Sequence, residues 1–261
     1  MKRSILILII YLIINRCYAD GLLKPMGGRS AAMGRTSVCE QGLWALSNNP
    51  AGLSHLKGWQ CGLYYENQWM LKETAFKSGS VAKSFNKVGC LGLLVSQFGW
   101  SEHSENLLGL AYSRNFGPHL DMGLRADYWW LHLGEGYPDR FAPSFMLGVQ
   151  SQITEKLQLG AILITPINNI RIGCAYRFTE EFVGQFEIEK DINIQGVRLG
   201  GGFEYTLFEQ FLLRAGAEYN PNIICFGMGY TTKSLQVDVA AQMHQALGAS
   251  IQIGIIGRFE Q

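Results

Sequence analysis

The feature that most constrains this chain is a period of two, recurring from about residue 58 to the C-terminus. Between 169 and 179, Ile170, Ile172, Cys174, Tyr176 and Phe178 share one face, while Arg171, Gly173, Ala175 and Arg177 share the other. In the same way Leu235, Val237, Val239, Ala241 and Met243 alternate with Gln236, Asp238, Ala240 and Gln242. Side chains of a strand point to opposite sides in turn, so each segment reads as a strand with one apolar face and one polar or small face. About fourteen such segments follow one another. They lie at 58–68, 73–85, 87–98, 106–116, 118–131, 141–153, 156–165, 169–179, 181–190, 196–206, 209–219, 222–230, 233–243 and 248–259. The second is the least regular, because Lys77, Ser78, Ser80, Lys83 and Ser84 dilute its apolar face. Tight linkers such as Asn115-Phe116-Gly117-Pro118 and Asn220-Pro221-Asn222 carry turn residues.

Alternation alone does not say which face meets the core. A soluble double sheet hides its apolar face, whereas an outer-membrane barrel turns it to lipid. The N-terminus favours the barrel. Lys2 and Arg3 precede an apolar run from Ile5 to Ile14, and Cys17-Tyr18-Ala19 supplies small residues for cleavage, so 1–19 reads as a removable export signal. That run is too short for a helix across a ~30 Å bilayer core, which needs roughly 20 apolar residues.

Two further features point the same way. A closed sheet of about fourteen strands is wider than the roughly eight-stranded barrels that side chains can fill, so its interior tolerates charge. Aromatic residues fall at the strand ends: Phe116, Phe178, Tyr205, Tyr230 and Phe259 at one rim, Tyr65, Tyr128, Trp130 and Tyr219 at the other. Rings with an apolar body and a polar or polarisable edge favour the membrane–water boundary. The segments 99–105 and 132–140 read as longer extracellular loops, and the turns near 86, 117, 155 and 180 as short periplasmic ones. The expected architecture is an all-β transmembrane antiparallel barrel (58–261) in the bacterial outer membrane, with lipid as its surroundings.

Charged residues make up 16% of the chain and the net charge is +1, with no basic stripe, which argues against nucleic acid as a partner. Beyond the leader, Cys39, Cys61, Cys90, Cys174 and Cys225 stand singly and read as small apolar fillers. His55, His103, His119, His132 and His244 are dispersed, without the spacing of a metal site, and no catalytic site or cofactor is expected. Glu187, Glu189, Lys190 and Asp191 form a cluster that could bind a cation but reads rather as a solvated strand end.

The stretch 20–57 is too short and too glycine-rich to form a domain. Placed before a wide polar barrel, it reads as a plug or hatch folded into the lumen, with Gly27, Gly28 and Gly34 permitting backbone shapes closed to other residues. Gln41 to Leu46 suits one or two helical turns, stopped by Asn48-Asn49-Pro50. The pattern Gly-x-Arg-x-x-Ala-Met-Gly at Gly27–Gly34, then Leu43-Trp44-Ala45 and Asn49-Pro50-Ala51-Gly52-Leu53, resembles the N-terminal signature of the PorV/PorQ family of outer-membrane proteins from type IX secretion. That family is itself similar to FadL-type fatty acid transporters. The resemblance implies a fourteen-stranded barrel with a hatch whose motif residues are Gly28, Arg29, Met33, Gly34, Asn49, Pro50, Ala51 and Gly52. At 261 residues the chain is short for this group, which implies reduced extracellular loops.

Two functions follow. One is a non-catalytic component of protein secretion or surface attachment, with secretion proteins or secreted cargo as partners. The alternative is a FadL-like channel for hydrophobic small molecules, which needs an apolar pocket in the barrel. Inward apolar candidates (Trp129, Met146, Ile223, Ile256) are few beside the expected lumen-lining charges Arg125, Asp127, Arg171, Arg177, Arg198, Glu204, Arg214, Glu218, Asp238 and Arg258, a balance that favours the first. Those charges should pair across the lumen, since buried charge persists only when paired or wet.

Overall fold

The structure, a computed structural model, describes residues 22, 24–85, 88–192 and 195–259. The expected leader, 1–19, lies outside the described residues. Fourteen antiparallel strands close into one barrel. In chain order they are β1 (Trp59–Asn67), β2 (Ala75–Phe85), β3 (Gly89–Trp100), β4 (His103–Asn115), β5 (Leu120–His132), β6 (Arg140–Gln152), β7 (Leu157–Thr165), β8 (Asn169–Arg177), β9 (Phe182–Asp191), β10 (Arg198–Leu207), β11 (Phe211–Tyr219), β12 (Ile223–Thr231), β13 (Leu235–His244) and β14 (Gly248–Phe259). Each pairs with its neighbours in sequence, and β1 closes on β14 from Trp59↔Phe259 to Asn67↔Ile251. Closure leaves no edge strand, which a sheet in hydrocarbon cannot tolerate.

The faces sort as the sequence pattern requires. Leu63, Leu110, Ile172, Phe226 and Ile253 are exposed on the outside, while Arg125, Asp238 and Gln252 are buried within. A closed barrel with an apolar exterior and charges inside is a barrel of the outer membrane. Aromatic contacts mark both rims. Trp59 stacks on Phe259 with ring centroids 4.1 Å apart, Phe182 stacks on Phe203 at 5.5 Å, and Phe211 meets Tyr230 at 5.0 Å. At the opposite rim Tyr128 stacks on Phe141 at 5.9 Å.

One expected loop is corrected. Residues 99–105 are not an extracellular excursion: β3 and β4 continue until Trp100 pairs with His103 across a turn of only Ser101 and Glu102. The polar run Ser104-Glu105 imitates a loop, yet both residues are buried in β4, and Glu105 shares the inward face of Leu107. The other expected loop is real but shorter, spanning 133–139.

Candidate functional site

The lumen is occupied by the chain's own N-terminal segment. It contains α1 (Gly28–Ala32), α2 (Ala45–Asn48) and a 3-10 helix over Pro50–His55. The helical turn expected at Gln41–Leu46 therefore begins later, because Gly42 has φ +90° and holds the chain off helix until Ala45. Asn49 is extended; its side-chain Oδ1 accepts from the Ala51 N–H at 3.1 Å, and Pro50 opens the 3-10 helix without needing its missing N–H. Asn48 ties the segment to itself: Met26 N–H donates to its Oδ1 at 2.8 Å, and its Nδ2 donates to Met26 O at 2.7 Å and to the Glu40 carboxylate.

Glycines on the inner strand faces are the seats of this segment. A Cβ at Gly202 would lie 2.5 Å from Met33 Cα, and one at Gly216 2.5 Å from the Gly34 nitrogen. On the far side Gly123 meets the Pro50 backbone and Gly148 meets Asn49. Gly34 has φ +67° and is pressed against the backbone of Gly201 and Ala217. A side chain there would be both strained and excluded.

Toward β1–β6 the seat is apolar. Leu43, Trp44, Leu46 and Leu53 of the hatch pack with Tyr64, Phe76, Leu94, Leu107 and Trp129 of the wall in one buried cluster. Sequence parity missed most of this, since β3 and β4 carry apolar residues on both faces (Leu93-Leu94-Val95, Leu107-Leu108) and the alternation is blurred. Within this half Arg125, ion-paired to Asp127 at 2.7 and 3.0 Å and buried with it, also donates to Leu46 O and Ser47 O at 2.9 and 3.0 Å. The guanidinium thus satisfies carbonyls that the short α2 leaves open.

Toward β8–β13 the seat is charged. Arg29 forks onto Glu204 at 3.0 Å, and Glu204 also receives Arg214 at 2.6 Å, which reaches Asp238 at 2.6 Å. Arg35 bonds Gln242 at 2.8 Å, lies 3.4 Å from Glu218, and reaches Glu66 of β1 at 2.8 Å. Arg198 pairs with Glu187 at 3.0 Å, Glu189 at 2.5 Å and Glu218 at 3.7 Å, while Arg171 pairs with Glu189 at 3.4 Å. Arg258 binds Thr231, Thr232 O and Gln236, and Arg177 is exposed at the end of β8. Of the hatch motif, Gly28 lies beside Asp238, and Met33, Asn49, Pro50, Ala51 and Gly52 are buried.

The reading of Glu187 and Glu189 as a solvated strand end is corrected. Glu187 is wholly buried and accepts from the Ser37 and Val38 N–H groups at 2.6 and 2.9 Å. Strand parity with Gln185 places it inward, and that signal was present in the sequence. Gln150, inward by strand parity, meets the hatch: its Nε2 donates to Val38 O and Glu40 O, each at 2.9 Å. Burial pushes the Glu40 carboxyl up to about 7, against the pull of Arg29 and the Asn48 hydrogen bond. His55 is lifted above its ordinary value by its 2.7 Å hydrogen bond to Asp121, which outweighs its partial burial.

Two cavities flank the hatch. The outer one, about 410 Å³, is walled by Trp69, Pro221, Ile223 and Leu247, with Arg35, Arg198 and Glu218 on its lumen side. Trp69 and its neighbour Met70 are held in left-handed backbone (φ 51° and 58°), and the Trp69 N–H donates to Ser250 Oγ at 3.0 Å. Non-glycine residues adopt such angles at a cost, sustained when the surroundings hold them. The inner cavity, about 390 Å³, is polar and reaches the mouth near Lys156 and Arg177. Arg35 lines the first, Arg29 and Glu40 the second, so the hatch is the partition between them.

This geometry has counterparts among solved structures. The CymD monoaromatic hydrocarbon channel superposes with a TM-score of 0.69 at 14% identity, covering 93% of this chain and all (100%) of that one. The Ralstonia pickettii toluene transporter TbuX gives 0.67 at 14% identity over 91% of this chain and 99% of its own. A Pseudomonas aeruginosa FadL homologue gives 0.62 at 11% identity over 90% and 98%. The likeness is one of fold. No protein-family profile matches the sequence, and no curated protein matches it.

Proposed function

We propose that the chain is a FadL-like conduit by which small hydrophobic molecules cross the outer membrane. The observation that carries this reading is the outer cavity. It is open at one end of the barrel, walled by apolar side chains, and set over a partition of the chain's own N-terminal segment. Its size, about 410 Å³, suits a small organic molecule, and apolar pockets with a few polar groups are the usual form of such sites. The hatch is the gate: a solute advances when the apolar contacts of Leu43, Leu46 and Leu53 shift. The expected shortage of inward apolar residues does not hold on the β1–β6 side, which removes the main argument from sequence against this reading. Two of the fold neighbours named above are described as a monoaromatic hydrocarbon channel and a toluene transporter, which supports the same choice. A role in type IX secretion rests on the N-terminal motif.

Uptake of radiolabelled toluene by bacteria carrying the barrel tests the proposal. Uptake should exceed that of cells without it, and Trp69→Ala or Ile223→Asp should lower it several-fold while the barrel still resists detergent unfolding until heated. Equal uptake with and without the barrel, or equally fast entry of a sugar of the same size, would overturn it.

A further inference from the structure

We propose that the inner cavity is a binding site for a small oxyanion of the phosphate class, separate from any hydrophobic cargo. Three cationic side chains from three different elements line it where it meets solvent: Lys156 in the turn between β6 and β7, Arg177 at the end of β8, and Arg258 near the end of β14. Among the described residues none of the three is paired with a carboxylate. Arg258 is instead held in place by neutral acceptors, donating to Thr231 Oγ1 and Thr232 O at 3.0 Å and to Gln236 Oε1. Its guanidinium is therefore oriented without its charge being cancelled.

The depth of the cavity behaves differently. There Arg29 and Arg214 are answered by Glu204 and Asp238, and Glu40 is bonded to Asn48, so the buried charges balance while the mouth keeps an excess of cations. Among the described residues that line the cavity, Glu155, beside Lys156, is the carboxylate at the lip. Even the balanced part is not saturated, since Arg214 Nη2 is buried without an acceptor. Gln60, Gln152 and Gln158 add amides to the lining. Planar guanidinium forks, an ammonium and amide donors around a cavity of about 390 Å³ suit a compact oxyanion, which offers several acceptor atoms at once. A neutral hydrocarbon would gain nothing from them.

The same chemistry is available from free phosphate and from the headgroup of an inner-leaflet phospholipid. The test uses the full-length barrel, hatch included, purified in a maltoside detergent and titrated with inorganic phosphate at constant ionic strength, with ³¹P line width as the readout. Saturable broadening is expected, weakened at least tenfold in the Arg177→Gln, Arg258→Gln double variant and unchanged in Arg140→Gln at the far rim. Repeating the titration in phospholipid nanodiscs separates the sources. Undiminished binding there assigns the site to free phosphate; binding seen in detergent and lost in nanodiscs assigns it to the lipid headgroup. No saturation in detergent, or saturation unaltered in the double variant, would overturn the proposal. Toluene uptake by the unaltered barrel is read alongside: normal uptake by a barrel that shows no saturable phosphate binding defeats this inference alone, leaving the hydrophobic-conduit reading intact.

Discussion

The two halves of the lumen hold the same hatch by different physics. On the β1–β6 side, Leu43, Trp44, Leu46 and Leu53 lie in an apolar cluster with the wall. Burial of this kind is non-directional and roughly proportional to the area removed from water. On the β8–β13 side, Arg29, Ser37 and Val38 are fixed by directional bonds to Glu204 and Glu187, Arg35 bonds Gln242 and lies against Glu218, and the backbone is pressed on glycine seats. Paired charges out of water are costly to separate, because a partner left alone stays desolvated. The difference teaches which side can yield. The apolar side can slide over short distances with contacts remade, whereas the charged side holds one arrangement or lets go. A gate built this way would hinge on its charged half and open along its apolar half.

Several measurements would break or sharpen that contrast, all reading hatch release by tryptic cleavage after Arg29 and Arg35 while heat-modifiability reports the barrel itself. The largest effect is expected from Glu187→Ala, which strips Arg198 of a buried partner and leaves two hatch N–H groups without an acceptor. Breaking such a pair costs about 3–5 kcal/mol, so cleavage should become rapid with the barrel intact. Unchanged protection would mean that the charged half does not anchor the hatch.

Leu46→Ala on the other side removes buried apolar volume over Gly92 and should cost about 3 kcal/mol, within the range for large-to-small core changes. Its signature differs: toluene entry should speed up with little new cleavage at Arg29, because the charged contacts remain. Gly216→Val asks whether close approach matters as much as charge. The new side chain would meet the backbone of Met33 and Gly34, and overpacking of this kind costs about 2 kcal/mol. Cleavage intermediate between the wild type and Glu187→Ala is expected.

The smallest effect is that of pH. Glu40 has a carboxyl raised to about 7 in the folded protein, above its unfolded value, so the stability it confers is full at low pH and lost as pH rises through the folded value. Between pH 6 and pH 8 the loss should be about 1.4 kcal/mol, tenfold in the open fraction, and Glu40→Gln should remove it. His55, also raised, has the same sign: its bond to Asp121 is strongest while the ring is protonated and weakens as pH rises through its folded value. A hatch that loosened on acidification would contradict both assignments.

Much of this molecule could be read without coordinates. Alternation located all the strands to within about three residues at either end, because a wall between lipid and lumen imposes opposite chemistry on successive side chains. It erred where polarity lacked that meaning, as at Ser104-Glu105, which imitates a loop but continues β4, with Glu105 on the bore side. The charges expected to line the lumen were named from parity, but their partners were not. Arg29 lies 175 residues from Glu204 in sequence, and nothing local in the chain signals that they meet.

By itself, then, the sequence determined a membrane-facing closed sheet, since period two with apolar rims has few other stable outcomes in a chain of this length. The tertiary structure alone decided how the plug expected at 20–57 divides the bore. Which inward side chains cluster depends on how the wall curves round and where the N-terminal segment is pressed against it. Those are long-range closures, set by the sum of glycine seats, apolar contacts and ion pairs, and no window of neighbouring residues contains them.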